Sequence, residues 1–229
     1  MIKAIITDIE GTTSSIAFVK EVLFPYARAN IAAFIAQEAD NPSVQSLVND
    51  VHQLLGHPLD QEALIAQLIT WIDEDQKITP LKALQGLIWA DGYRAGKLKG
   101  HIYADVIPQL QSWHAQGIQL YVYSSGSVFA QKLLFGHTEA GDLTPLFTGY
   151  FDTHIGNKRE QAAYRNIIAS IGLPASEVLF LSDIVEELDA AQAVGIHTCC
   201  LCRDTQHPLG NQHRLVNSFA EIQLNQFDI

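Results

Sequence analysis

The sequence predicts an α/β protein, with a parallel β-sheet flanked by helices and an all-helical segment inserted after the first strand. Three observations support this prediction. Short apolar runs recur along the chain, amphipathic segments alternate with them towards its end, and the long stretch Ile16–Gly100 has helical patterns only. Strands that alternate with helices indicate a parallel sheet with right-handed crossover connections.

Four apolar runs have the composition of strands that are buried on both faces. They are Ile2–Thr7, Gln119–Tyr123, Val178–Ser182 and Thr198–Cys202. Two amphipathic segments, Lys158–Gly172 and Glu186–Gly195, are predicted to be helices. Both segments end at a glycine, which commonly terminates a helix.

The stretch between the first two strands has apolar residues at helical spacing, with turn signals between its pieces. The pieces are Ile16–Gln37, Val44–Leu55, Leu64–Ile72 and Pro80–Tyr93. Pro25 is expected to kink or restart the first helix, because proline lacks a backbone N–H. We therefore expect a core made of residues 1–15 and 101–229 and a helical cap made of residues 16–100.

The inserted cap has two interpretations. It is either an enlarged crossover connection that serves stability alone, or a lid over the carboxyl ends of the strands, where open α/β sheets bind their ligands. We favour the lid, because the insertion begins just after the first group of candidate site residues.

Composition and charge exclude several classes of protein. The chain has 229 residues and a formal net charge of −11 at neutral pH, which argues against nucleic acid or an anionic membrane as a partner. No apolar run approaches the roughly 20 residues of a membrane span. The cysteines are odd in number and clustered at Cys199–Cys202, which fits a reducing compartment, so we expect a cytoplasmic protein.

Polar residues stand where the first two strands should end. Asp8 and Glu10 follow the first strand, and two carboxylates at this spacing suit a nucleophile with a proton carrier, or a metal site. Ser124, Ser125 and Gly126 follow the second strand, where hydroxyls and free backbone N–H groups favour an anion. Taken alone, the acid pair is better explained as a polar turn that caps the next helix, and the serine motif is a weak signal because serines also cap helices.

Two further candidates lie in the second half of the chain. Lys158 is predicted to open a helix, where the helix dipole disfavours a cation, so a nearby anion would explain it. Asp183 ends a buried strand, where an unpaired charge is costly and a divalent cation would compensate it. The alternatives are a solvated lysine and a helix-capping aspartate, with Glu186 and Glu187 in the first turn of that helix.

The order of these features resembles the haloacid dehalogenase superfamily, whose signature is D-x-[DE], then Ser or Thr, then Lys, then an acidic pair on successive strands. More closely, the chain resembles the enolase-phosphatase (acireductone synthase) family of methionine salvage. The strings that carry this resemblance are DIEGTT (Asp8–Thr13), LQGLIWADGYRAGKLKGHIYADV (Leu84–Val106), YSSGSVFAQKLLFGH (Tyr123–His137), FDTHIGNK (Phe151–Lys158) and FLSDIVEELDAA (Phe180–Ala191). The resemblance implies a Rossmann-like core with a helical cap.

The resemblance also implies a reaction and its catalytic residues. The substrate would be 2,3-diketo-5-methylthiopentyl-1-phosphate, which is enolised and then dephosphorylated to the acireductone 1,2-dihydroxy-3-keto-5-methylthiopentene. Asp8 would form an aspartyl-phosphate, and Glu10 would serve as general acid and base. Ser124 and Lys158 would hold the phosphoryl oxygens, with the backbone N–H groups of Ser125 and Gly126. The enolisation base stays open between Glu10 and a residue of the cap.

One Mg²⁺ per subunit is implied as the cofactor. Its ligands would be Asp8, Asp183 and the Glu10 position, the last through its backbone carbonyl. Glu187 would not bind the substrate itself; it would orient Lys158 or the metal ligands. By the same resemblance, we expect a monomer whose partner is a small phosphate ester.

Other functions remain open from the sequence. A phosphatase for another small phosphate monoester, such as a sugar phosphate, would share the core residues. A haloacid dehalogenase would leave the acidic residues without a role, and a non-catalytic phospho-acceptor module would leave the helical insertion without one. A zinc site is a further alternative to buried packing, which we favour; its ligands would be Cys199, Cys200, Cys202, His197, His207 and His213.

Overall fold

The computed structural model describes residues 1–203 and 212–227. The chain divides into two compact units, Met1–Ile16 with Gly100–Ile229, and Ala17–Lys99. The first unit contains the β-sheet and the second contains helices only. That these units act as catalytic core and cap remains a prediction.

The described part of the first unit contains one sheet of six parallel strands, in the order β3-β2-β1-β4-β5-β6. The strands are β1 Ala4–Thr7, β2 Gln119–Tyr123, β3 Gly149–Phe151, β4 Val178–Ser182, β5 His197–Leu201 and β6 Arg214–Val216. In the centre of the sheet, Ile6 pairs with Tyr121 on one side and with Phe180 on the other. The predicted fold class is confirmed.

The four strands predicted from the sequence are β1, β2, β4 and β5, with bounds that agree within two residues. The strands β3 and β6 were not predicted. Each has three residues, and their side chains are partly or fully exposed except at Val216, so neither has the apolar signature of a buried strand.

Helices connect the strands of the first unit. They are α6 Val106–Ala115, α7 Val128–Gly136, α8 Gln161–Ile171 and α9 Val185–Gln192. The prediction that Lys158 opens α8 is wrong, because the helix begins three residues later and Lys158 lies in the turn before it. The predicted end of α8 is confirmed, since Gly172 closes the helix at φ 75°.

The second unit is a helical bundle with its own apolar core. Its helices are α1 Ile16–Phe18, which begins at the boundary of the units, α2 Phe24–Gln37, α3 Pro42–Leu55, α4 Gln61–Asp73 and α5 Thr79–Arg94. Ile31, Leu68 and Leu84 are fully buried in its centre. A π-helical turn, Val19–Leu23, directly precedes α2 and places Pro25 in the first turn of that helix. The expected restart at Pro25 is therefore confirmed, and it occurs where the missing N–H is tolerated.

Among the described residues, no helix combines the length and the apolar composition that crossing a bilayer requires.

Candidate active site

Asp8 lies directly after β1, at the edge of the sheet where the carboxyl ends of the parallel strands meet. Its side chain is buried, and its Oδ1 accepts a hydrogen bond from the Ile9 N–H at 2.7 Å. The loop turns back at Gly11, whose φ is 74°, and the Thr13 hydroxyl donates to the Asp8 carbonyl at 3.1 Å. The backbone of the acidic residue is thus held by its own loop.

Lys158 joins two carboxylates inside the protein. Its Nζ lies 2.6 Å from Asp8 Oδ1 and 2.8 Å from Glu187 Oε2, and its side chain is 9% exposed. Burial alone would lower the pKa of Lys158, but the charges of Asp8 and Glu187 outweigh burial and raise it. The lysine therefore remains a cation and fixes the orientation of Asp8.

Glu187 supports Lys158 from the first turn of α9. Its Oε2 also accepts a hydrogen bond from the buried Ser182 hydroxyl at 3.0 Å. Burial and then the charge of Asp8 raise the pKa of Glu187 to about 7, although Lys158 opposes this shift. Of the two roles expected for Glu187, these contacts favour support of the lysine.

Glu10 and Ser124 bring the loops after β1 and β2 together. The Ser124 hydroxyl donates to Glu10 Oε2 at 3.3 Å and accepts from the Gly126 N–H at 3.1 Å. Burial, and then the negative charge of Asp8, raise the pKa of Glu10. A raised pKa favours the protonated form, which is the form in which a carboxyl serves as a general acid.

The loop after β2 departs from expectation at one position. The Gly126 N–H is already engaged by Ser124, so binding of a phosphoryl oxygen there requires that this hydrogen bond open. Ser125 is exposed in the same turn, and Ser127 caps α7 by accepting from the Ala130 N–H at 3.2 Å.

Asp183 lies directly after β4, next to the loop of Asp8. Its Oδ1 is buried and has no hydrogen-bond partner among the described residues. Burial, and then the charge of Asp8, raise the pKa of Asp183 to about 6. Gly11 leaves space for this carboxylate, because a Cβ at position 11 would overlap with Asp183 Oδ2.

These observations fit a divalent cation. An unpartnered, buried carboxylate oxygen close to a second carboxylate is compensated by a hard cation with oxygen ligands. Within the described chain, no group of three or more His, Cys, Asp or Glu side chains is arranged to hold a metal. Glu10 directs its carboxylate to Ser124, so only its backbone carbonyl would be available to a cation at this point.

The three cysteines near the end of β5 are interior packing residues. Cys199, Cys200 and Cys202 are buried thiols, and burial raises the pKa of the Cys199 thiol to about 12. His213 contacts the Thr198 hydroxyl at 2.7 Å and Asp189 Oδ1 at 3.0 Å. His207 lies outside the described residues.

Asp152 also lies at the carboxyl edge of the sheet, and it was not predicted from the sequence. It follows β3, and its Oδ2 accepts from the Val128 N–H at 3.1 Å, which anchors the start of α7. Its Oδ1 lies 2.7 Å from His154 Nδ1. The strand-end rule that identified Asp8 and Asp183 would have found Asp152, had β3 been recognised as a strand.

Comparison with known proteins assigns the chain to a family. The family model described as haloacid dehalogenase-like hydrolase matches residues 2–195. The chain therefore belongs to the haloacid dehalogenase-like hydrolases and is a hydrolytic enzyme.

Within that family the chain belongs to the enolase-phosphatases. It is 59% identical over 216 residues to enolase-phosphatase E1 of Methylococcus capsulatus, covering 92% of this chain and 95% of that one. It is 56% identical over 228 residues to enolase-phosphatase E1 of Serratia proteamaculans, covering 99% of both chains. Among solved structures, the UTR4 protein of Saccharomyces cerevisiae superposes with a TM-score of 0.83 at 37% identity, covering 97% of this chain and 100% of that one.

Proposed function

We propose that this protein is the Mg²⁺-dependent enolase-phosphatase of methionine salvage. It converts 2,3-diketo-5-methylthiopentyl-1-phosphate to the acireductone and inorganic phosphate, by enolisation and then dephosphorylation. The observation that carries the proposal is the buried ion-pair chain in which Lys158 lies between Asp8 and Glu187. That arrangement offers a nucleophile and a cation for a phosphoryl group at one point of the sheet edge.

Asp8 is the nucleophile of the phosphatase step. Its Oδ1 is held by the Ile9 N–H and by Lys158, and no described residue hydrogen-bonds to Oδ2. Oδ2 attacks phosphorus, the bond to the leaving oxygen breaks, and an aspartyl-phosphate forms. Two such displacements replace one difficult hydrolysis.

Glu10 moves the protons. Its raised pKa favours the protonated carboxyl, which donates a proton to the leaving oxygen as the phosphorus–oxygen bond breaks. The resulting carboxylate then takes a proton from the water that hydrolyses the aspartyl-phosphate, which restores both residues.

Lys158 and Ser124 hold the phosphoryl oxygens. Lys158 carries a permanent positive charge at the nucleophile, and the Ser124 hydroxyl rotates from Glu10 to an oxygen of the substrate. Donors placed in advance where negative charge develops lower the barrier more than donors in water do. The Ser125 and Gly126 N–H groups complete the set when the Gly126–Ser124 hydrogen bond opens.

One Mg²⁺ per subunit would be held by Asp8, Asp183 and the backbone carbonyl of Glu10. Bound there, it supplies charge neutralisation for the phosphoryl oxygens in a protein of net charge −11. The unpartnered Oδ1 of Asp183 supports this assignment.

The remaining features of the proposal concern the whole molecule. We propose the unit Ala17–Lys99 as the cap domain and the other unit as the catalytic core. We propose a cytoplasmic monomer that acts on a small-molecule phosphate ester, with neither nucleic acid nor membrane as a partner. The enolisation base is Glu10 or a residue of the cap.

The test is a comparison of substrates. The purified protein is given the diketo phosphate and a panel of sugar phosphates with Mg²⁺, and both released phosphate and absorbance of the enol intermediate are followed. Preference for the diketo phosphate, with loss of phosphate release in a chelator and recovery on adding Mg²⁺, supports the proposal. Preference for a sugar phosphate assigns the site to another phosphatase, and full turnover in the chelator contradicts the proposed cofactor.

A further inference from the structure

Arg203 reaches from the carboxyl end of β5 to the loop that carries Asp8. Its side chain is 7% exposed, and its Nε donates a hydrogen bond to the Thr12 carbonyl at 2.8 Å. Thr12 belongs to the same short loop as Asp8 and Glu10. An arginine two strands away along the sheet therefore holds the backbone of the candidate catalytic loop.

The guanidinium group of Arg203 is itself held on several sides. Its Nη1 donates to Asp105 Oδ1 at 2.8 Å, and Asp105 Oδ2 accepts from the Phe219 N–H at 2.7 Å. The guanidinium carbon lies 4.1 Å from the centre of the Tyr103 ring. A planar group held by a carboxylate at one end and an aromatic face below has little freedom to move.

Packing alone does not explain an arginine at position 203, because burying its guanidinium group costs free energy. Its Nη2 is buried and has no hydrogen-bond partner among the described residues. A buried donor without a partner costs free energy, and an apolar side chain would fill the same space without that cost. The directed hydrogen bond to Thr12 is a reason for an arginine at this position.

The segment before α6 holds the next residues of the same loop. The Tyr103 N–H donates to the Thr13 carbonyl at 3.0 Å, and His101 Nδ1 accepts from the Ser15 N–H at 3.1 Å. The Thr13 hydroxyl in turn donates to the Asp8 carbonyl. The hydrogen bonds thus connect Arg203 to the backbone of the nucleophile through two residues.

We propose that Arg203 is a positioning residue for the loop Asp8–Ser14, with Asp105 holding Arg203 in place. The inference rests on the proposed function, because it concerns the same nucleophile and the same reaction. Arg203 acts through the Thr12 carbonyl and restricts where Asp8 and Glu10 can lie. A misplacement of about 1 Å at a reacting group can cost about 100-fold in rate, which makes such support measurable.

The first test removes the hydrogen bonds of Arg203 and keeps its apolar length. We expect Arg203→Met to lower kcat for phosphate release by about 10-fold to 100-fold, with little change in KM. Rates are measured on the diketo phosphate and on p-nitrophenyl phosphate, at a temperature where circular dichroism shows a fully folded protein. Arg165→Met, at an exposed arginine on α8, is the matched control and should keep the wild-type kcat.

Chemical rescue separates positioning from packing. Guanidinium ion at millimolar concentration should raise kcat of Arg203→Ala and leave Arg165→Ala unchanged, because only the first variant has a vacated site beside Thr12. If Arg203→Met fails to fold, Asp105→Asn weakens the hold on Arg203 with little change in shape and should lower kcat in the same direction.

A readout without turnover keeps this inference distinct from the proposed function. Hydrogen exchange of the peptide that spans Ile9–Ser15 should be faster in Arg203→Met than in the wild type and unchanged in Arg165→Met. If the wild-type protein hydrolyses no phosphate ester, the proposed function fails, and the exchange experiment still tests the hold on the loop. Wild-type kcat together with unchanged exchange in Arg203→Met would overturn the inference. A loss of activity that only follows the unfolded fraction would overturn it too.

Discussion

Gly11 and Asp183 lie so close together that no side chain fits at position 11. A Cβ there would overlap with Asp183 Oδ2. Gly11 also has a φ of 74°, in the left-handed region that favours glycine. The residue therefore serves the turn of the loop and also leaves space for a carboxylate that is a proposed metal ligand.

Gly11→Ala separates these two effects when it is compared with Gly117→Ala. Gly117 has a φ of 80° and open space around its Cα, so its replacement adds backbone strain only. We expect Gly117→Ala to lose about 1 kcal/mol of unfolding free energy, measured by urea denaturation, and Gly11→Ala to lose more, because its Cβ also overlaps with Asp183. Only Gly11→Ala should require more Mg²⁺ for half-maximal activity, by about 10-fold. Equal Mg²⁺ requirements in the two variants would show that Asp183 is not displaced.

Asp8→Asn tests the nucleophile. We expect phosphate release to fall by about 1,000-fold or more, because an amide does not form the aspartyl-phosphate. Asp50→Asn, at an exposed position on α3, is the control and should keep the wild-type rate. Enol absorbance measured in Asp8→Asn shows whether enolisation needs the nucleophile. Normal phosphate release in this variant would exclude Asp8 as the attacking group.

Lys158→Met tests the ion-pair chain. The change leaves Asp8 and Glu187 buried without their shared cation, so we expect a loss of about 3 kcal/mol in unfolding free energy together with loss of phosphate release. Adding Glu187→Gln removes one of the unpaired charges and should restore part of the stability but none of the activity. If Lys158 and Glu187 are not coupled, the double variant will be no more stable than Lys158→Met.

The lowered pKa of Asp105 predicts that the protein loses stability at acid pH. Burial alone would raise the pKa of Asp105, but the hydrogen bonds from Arg203 and the Phe219 N–H outweigh burial and lower it. A lowered folded-state pKa gives stability that is present above the ordinary pKa of 3.8 and is lost as the pH falls through the folded-state value.

The measurement is urea denaturation from pH 7 down to pH 3. The difference in unfolding free energy between the wild type and Asp105→Asn should be constant near neutrality and shrink below about pH 4. Asp50→Asn serves again as the control, at an exposed carboxyl. A difference that stays constant to pH 3 would contradict the lowered pKa.

The long elements of this fold are predictable from sequence because burial determines their composition. The strands β2 and β4 have the predicted bounds, and the helices of the inserted unit lie where apolar residues recur. β3 is different, since its three half-buried residues carry no apolar pattern.

Part of the site follows from topology and part requires packing. Asp8, Ser124 and Asp183 follow strands of a parallel sheet, so their convergence is expected once the strands are known. The supporting contacts join residues that are distant in sequence and lie on different elements. Glu187 contacts Lys158 from a helix, and Arg203 contacts Thr12 although the two residues are 191 positions apart in the sequence. Contacts between such distant positions cannot be predicted from local sequence patterns.

The hydrogen bond between Ser15 and His101 has a consequence for protein engineering. The chain leaves the unit that contains the sheet near Ser15 and returns to it at His101, and these two points are in direct contact. The segment Ala17–Lys99 is therefore a cassette with adjacent ends, which can be exchanged without stretching the core. Joining the two points by a short glycine linker should give a core that folds alone and hydrolyses small phosphate esters with little discrimination among them.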